Sequence, residues 1–394
     1  MRQSYVYLVS CLLSFSFNVC AKNSKTQEHH ADVSWTVVGA GPAGIATIGV
    51  LLELGISEKD IVWVDPKFDV GRLGEYYYNV PGNAVTKNYV FFVQQCRVFN
   101  EFPSQARDKL FEESDSCEEC ILGFVVDPLL DITNHLRTKV TSVQDSLVSL
   151  KRNEQHEWHL QLNNSSFTSH NVVLATGAQP RKLNYPCKNC ISLDLAIDKN
   201  KLTQLVDTQS DTIALIGGAH SAILILKYLS EIGVPRIVNF YKHPLRYAYD
   251  MGDGNPTHFN GLKGATGRWA YNVLEKNSPA QIARLKNSQE AREAWLPLCN
   301  KIIYAIGYTR NPVPLAEGHT SQVDYNSSSG EISSRLFGIG IAFPEQVIED
   351  GKKEAMIGLI DFMLYAQRVA PEWIKKLHSR HIELLNNILT ISIL

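Results

Sequence analysis

The run "TVVGAGPAGIATIGVLLELG", Thr36 to Gly55, carries a β-branched strand into a long apolar helix through three glycines. Trp35–Val38 has the composition of a buried strand, and Gly39, Gly41 and Gly44 follow at G-x-G-x-x-G spacing. In such a turn the first glycine makes the tight bend, the second lets backbone N–H groups approach a pyrophosphate, and the third lets helix and strand pack closely. The positive end of the helix then faces the phosphate. Glycine triplets also occur in plain loops, so the next strand decides the reading. "IVWVD", Ile61 to Asp65, is a second buried-strand pattern that ends in a carboxylate where a ribose 2′-hydroxyl is expected. Strand, turn, helix, strand and acid together predict a dinucleotide-binding βαβ unit.

The theme returns in "DTIALIGGAHSAILILKYLSEIGVPRIVNFYKH", Asp211 to His243. A strand over 212–216 enters Gly217, Gly218, Ala219, His220, Ser221 and Ala222, a helix runs to about Ile232, and a strand follows over 236–240. Gly218 fills the variable place, Ala219 stands where the second glycine belongs and Ala222 where the third does. No acid ends the second strand. Lys242, His243 and Arg246 lie there instead and suit a 2′-phosphate, which favours NADPH over NADH; a solvated basic loop is the other reading. His220 reads as a capping or phosphate-facing residue, with catalytic acid or base as the alternative.

Between the two units, residues 67–127 are irregular and aromatic, with "GRLGEYYYNVPGNA" over 71–84, and are expected to lie over the first cofactor. Helical material is expected around 89–99 and 103–112, and a helix over 128–139. The runs "SLVSL" (146–150), "EWHLQL" (157–162) and "NVVLATG" (171–177) predict a three-stranded antiparallel meander that returns to the parallel sheet. It ends on Ala175, Thr176 and Gly177, small residues that let a cofactor approach the backbone. After Tyr247 a glycine-rich loop and a helix are placed to cover a nicotinamide. "NKIIYAIGYTRNP" (300–312) and "RLFGIGIAFPE" (335–345) read as further strands of the first domain, the latter reaching Gly338 and Gly340 ahead of a helix over about 354–369.

With 394 residues, 44% of them hydrophobic, the chain is long enough for two or three domains, and a net charge of −2 supplies no basic field for nucleic acid or anionic membrane. Small molecules are the expected partners. The opening "MRQSYVYLVSCLLSFSFNVCA" has a cation at Arg2, an apolar core, and Val19 and Ala21 before a cleavage position. It reads as a secretory signal over 1–21, followed by a linker over 22–32. A short membrane anchor is the alternative, though the core is shorter than the ~20 residues of a span; without export the protein is cytoplasmic. Eight cysteines include two C-x-x-C pairs, Cys117 with Cys120 and Cys187 with Cys190. They read as structural or incidental thiols, as a redox dithiol, or as zinc ligands.

The order of these parts resembles the two-dinucleotide-domain flavoproteins: the pyridine nucleotide–disulfide oxidoreductases and the related flavin-containing monooxygenases. The resemblance covers about residues 34–370. It rests on Gly39, Gly41, Gly44 and Asp65, on Thr176 and Gly177, on the turn from Gly217 to Ala222, and on Gly338-Ile339-Gly340. It implies an α/β protein whose FAD domain (33–186 and 300–394) is split by an inserted NAD(P)H domain (187–299). Gly340 and Ile341 become flavin neighbours, although the acid that this strand commonly carries is missing. Cys187 and Cys190 approximate one dithiol setting of the family but lie 27 residues before Gly217 and lack the acid that usually follows. The resemblance implies an FAD-dependent oxidoreductase that takes electrons from NAD(P)H and passes them to oxygen or a small acceptor. Alternatives are a disulfide reductase through Cys187 and Cys190, and a flavin-binding redox sensor without turnover.

Overall fold

The computed structural model describes residues 33–114, 119–153, 157–186, 189–251, 257, 260–316, 318–320, 323–349 and 351–391. The expected signal and linker, Cys117 and Cys187 lie outside them.

The first body begins with β1 (Val33–Val38), α1 (Pro42–Glu53) and β2 (Ile61–Val64), and the two strands pair in parallel from Trp35–Ile61 to Val38–Val64. Both strands are almost wholly buried, as their β-branched and aromatic content requires of a sheet covered on both faces. The aromatic segment supplies α2 (Arg72–Tyr76), α3 (Thr86–Gln94) and α4 (Gln105–Glu113), followed by α5 (Gly123–Lys139) and the edge strand β3 (Thr141–Val143). The meander is β4 (Leu147–Arg152), β5 (Trp158–Leu162) and β6 (Ser166–Leu174). In β5, Trp158, Leu160 and Leu162 are buried and His159 and Gln161 half-buried, the period of two of a strand with one core face. β6 is long enough to serve twice. Its first half pairs antiparallel with β5, while its length from Ser169 to Leu174 runs parallel to β1.

The chain leaves through β7 (Ala178–Pro180) and builds a second body. This comprises β8 (Asn189–Ile191), α6 (Leu193–Ala196), α7 (Lys199–Leu205), β9 (Thr212–Ile216), α8 (His220–Ile232), β10 (Arg236–Tyr241), α9 (Gly264–Trp269), β11 (Ile282–Lys286), α10 (Gln289–Trp295) and β12 (Lys301–Tyr304). Its five strands are parallel, in the order β11-β10-β9-β12-β8. The return strand expected in the first domain from residue 300 therefore belongs here: β12 pairs with β9 and completes the second sheet.

β13 (Tyr308–Arg310) pairs antiparallel with β7, so the chain enters and leaves the second body through one two-stranded ladder. β14 (Val313–Leu315), β15 (Gly318–Thr320), β16 (Glu331–Ser333) and β17 (Leu336–Gly338) then rejoin the first sheet, with β17 parallel to β6. A hairpin of β18 (Glu345–Glu349) and β19 (Lys352–Met356) follows, so the last helix starts later than expected. That helix, α11 (Leu359–Ile391), lies along α1.

Candidate functional site

The three glycines of the first turn are needed for three different reasons. Gly39 has φ 111°, and a Cβ there would lie 2.3 Å from the Ala175 carbonyl oxygen. At Gly44 a Cβ would come within 1.9 Å of the Gly39 carbonyl oxygen. At Gly41 it would meet only the Val70 carbonyl oxygen, at 4.0 Å, and would otherwise project into a cavity. Of the three, Gly41 alone leaves that space open.

Asp65 lines the same cavity, but its carboxylate is bound to the loop. Oδ2 accepts from Ala40 N at 2.7 Å, and Oδ1 from Lys67 N at 2.8 Å and Phe68 N at 2.7 Å. The acid expected to face a ribose thus first fixes the turn, and a ribose contact would come in addition. Thr176, Gly177, Gly340 and Ile341 line the cavity. The Thr176 hydroxyl oxygen is buried without a partner, while Asn311 Nδ2 donates to the Thr176 carbonyl at 2.8 Å. Gly340 has φ 77° and a Cβ would press on Ala43 at 2.5 Å, so it closes tightly on the start of α1.

The second turn repeats the first. Gly217 has φ 141° and its Cβ would lie 2.2 Å from the Ala305 carbonyl oxygen, as that of Gly39 does from Ala175. Gly217 N donates to Phe240 O at 2.9 Å and Ala305 N to Ile216 O at 2.8 Å; Gly39 N to Val64 O and Ala175 N to Val38 O, both at 2.8 Å, are the counterparts. Gly218 admits Tyr241, whose Cβ would be 3.0 Å from a Cβ at 218. Ala222 is fully buried against the turn. Ala219, His220 and Ser221 line the cavity. Lys242, His243 and Arg246 are exposed beyond the end of β10 and do not line it.

One cavity of about 1310 Å³ therefore touches both turns. In it, burial first and the nearby Lys263 second push the His220 imidazole down to about 4, and its Nδ1 is buried without a partner. Without a ligand, His220 is held in its neutral form at neutral pH. Lys263 is pushed down by burial, against Asp361 and Glu349, and Asp361 is pushed up by burial while it accepts from Gly358 N at 2.8 Å. Asn260 Nδ2 donates to Glu354 Oε2 at 2.7 Å and ties the glycine-rich loop to the β18–β19 hairpin.

Sequence reading missed the polar groups between the bodies. Arg72 pairs with Asp194 at the start of α6, and the hydroxyls of Tyr77 and Tyr308 meet. Burial raises the Tyr308 phenol above its usual range. Only the aromatic run over 71–84 signalled this region. Cys190 is exposed on the edge strand β8 and does not line the cavity. The Cys120 thiol is buried and pushed up by that burial, which makes it a poor nucleophile. Among the described residues no cluster of three metal-ligating side chains occurs, and no helix is long and apolar enough to cross a membrane.

The family described as pyridine nucleotide-disulphide oxidoreductase matches residues 33–313. Monooxygenase AgnR1 of Paecilomyces divaricatus is 30% identical over 388 residues, covering 86% of this chain and 97% of the relative. Three solved structures share the fold. A Kutzneria sp. 744 ornithine N-hydroxylase has a TM-score of 0.59 at 12% identity and covers 88% of this chain and 100% of its own. A flavin-containing monooxygenase from Stenotrophomonas maltophilia has 0.58 at 13%, covering 88% and 99%. The bacillithiol disulfide reductase Bdr of Staphylococcus aureus has 0.57 at 12%, again covering 88% and 99%.

Proposed function

Since the chain belongs to the pyridine nucleotide-disulphide oxidoreductase family, we propose that it is an FAD-dependent oxidoreductase that draws electrons from NADPH and passes them to dioxygen or a small-molecule acceptor, in the manner of a monooxygenase. The observation that carries this reading is the single cavity lined by both glycine turns. The residues fit FAD: an open face at Gly41 for the pyrophosphate, an unpartnered Thr176 hydroxyl, and small residues at Gly177 and Gly340. Bound there, FAD would accept two electrons from reduced nicotinamide and release them singly or in pairs to the acceptor.

The protein's own part is binding and exclusion. The start of α1, at Gly41, Pro42 and Ala43, lines the cradle, and Asp65 keeps the loop in shape. Leu193, Ile197 and Leu224 of the second body give the meeting place of the two cofactors an apolar wall that keeps water out. His220 and Ser221 are placed to meet the coenzyme. Lys242, His243 and Arg246 stand at the strand end where its 2′-phosphate is expected. A disulfide acceptor is less favoured, because Cys190 lies off the cavity. Residues 1–21 remain, in our proposal, an export signal.

In an oxygenation, one NADPH, one proton and one dioxygen would be consumed for each oxygenated substrate, leaving NADP⁺ and water. The test combines oxygen uptake with coenzyme choice. The FAD-loaded protein should oxidise NADPH faster than NADH. Replacing Lys242 and Arg246 by Ala should raise KM for NADPH about tenfold, the loss of roughly 1.4 kcal/mol of phosphate binding, and leave NADH nearly unchanged. Equal effects on both coenzymes would give these cations another role.

A further inference from the structure

Where the cavity passes between the two bodies, its wall is mostly apolar. Arg72 is a charged residue of the first body that lines it beside α6 of the second, as Glu354 and Asp361 do beside Asn260 and Lys263. It follows Gly71, whose φ of 59° presses the backbone toward Gly41, where an added Cβ would stand 3.2 Å from the Gly41 Cα. Its guanidinium sits 4.5 Å over the Tyr76 ring and is bridged through Nη2 to Asp194 of the second body. The two side chains are 28% and 16% exposed.

The Nε of Arg72 is buried and has no partner. A buried N–H of a charged group is expensive to leave without an acceptor, so an acceptor supplied by a ligand is the natural completion. Electron passage between two cofactors needs a stretch lined by both bodies, and Arg72 stands in such a stretch with Leu193 and Ile197.

Resting on the flavin reading above, we propose that Arg72 is the residue that contacts the flavin ring and sets its reduction potential, its Nε–H donating to the ring, with Asp194 as the positioning residue that also moderates its charge. A flavin that takes up two electrons and one proton ends with one more negative charge. A guanidinium beside it favours that state by Coulomb attraction in a water-poor site, and a carboxylate beside the guanidinium opposes it. The two partners therefore act on the potential with opposite sign. Lysine would keep the charge without the planar fork that lets one edge hold Asp194 while Nε faces the ring.

The test is a spectroelectrochemical titration of the FAD-loaded full chain, with flavin content and circular dichroism recorded first. Arg72→Met should shift the reduction equilibrium at least tenfold toward the oxidised form, a fall of about 30 mV for a two-electron couple. Asp194→Asn should shift it the other way. If Arg72→Met fails to hold flavin, Arg72→Gln provides the same neutralisation with a donor retained. Potentials unmoved in a flavin-loaded protein, or moved in the same direction by both partners, would overturn the proposal. A wild-type chain that binds no flavin would overturn the flavin reading itself, and this proposal with it.

Discussion

Gly41 and Ala219 hold the same place in the two turns and have nearly the same backbone, φ −75° and ψ 176° against φ −91° and ψ −175°. Neither is in the left-handed region, so a side chain at either site costs the fold little and matters only to what binds. Gly41→Val should leave the protein folded, with a melting temperature close to that of the flavin-free wild type, while flavin retained through purification falls at least tenfold. Full occupancy in that variant would show that the pyrophosphate lies elsewhere. His220 makes a prediction in pH. Its imidazole titrates near 6.5 when unfolded and at about 4 when folded, so between those values the unfolded chain binds a proton that the folded chain refuses. Stability should therefore fall as pH drops from 6.5 toward 4. His220→Gln should remove part of that loss, on the order of 1–3 kcal/mol for a half-buried ring. Parallel melting curves for the two proteins across this range would contradict the assignment.

At the scale of elements, the parts with strict spacing were legible in the sequence and the parts set by distant packing were not. Both βαβ units stand where their glycines put them, because a bend that tight admits little else. The residue that closes each turn, Ala175 or Ala305, comes from a distant strand. Nothing in "KIIYA" says whether that strand completes the first sheet or the second, which is why β12 was expected in the wrong one. The β18–β19 hairpin was hidden for a related reason: "KKEAM" has no apolar alternation, and its pairing with "EQVIE" is set across a turn at Gly351. The last helix is anchored by Trp373, which is 1% exposed, stacks on Phe337 at 4.5 Å and donates from Nε1 to the Ser329 carbonyl at 2.6 Å. Trp373→Ala should cost about 3–5 kcal/mol in denaturant unfolding. A change under about 1 kcal/mol would mean that α11 contributes little to holding the first body together.

Across the whole molecule, the described chain passes between the two bodies through the two strands of the β7–β13 ladder. Their relative placement is held by contacts that no local pattern announces. Arg72 with Asp194, Asn79 Nδ2 with Asp198 at 3.1 Å, and Asn260 with Glu354 cross between them, and Tyr77 meets Tyr308 of the connecting ladder. These residues lie far apart in the chain and share no spacing rule, so the two glycine turns were readable from sequence and the junction between them was not. If the proposed function holds, reduced nicotinamide meets FAD at this junction. An anaerobic titration of the FAD-loaded protein with NADPH, followed by flavin absorbance, tests it most directly. Bleaching should be complete at close to one NADPH per FAD, and admission of air should restore the oxidised spectrum. A flavin that stays oxidised under excess NADPH would contradict the account, and an end point near two NADPH per FAD would point to a second two-electron acceptor such as a dithiol.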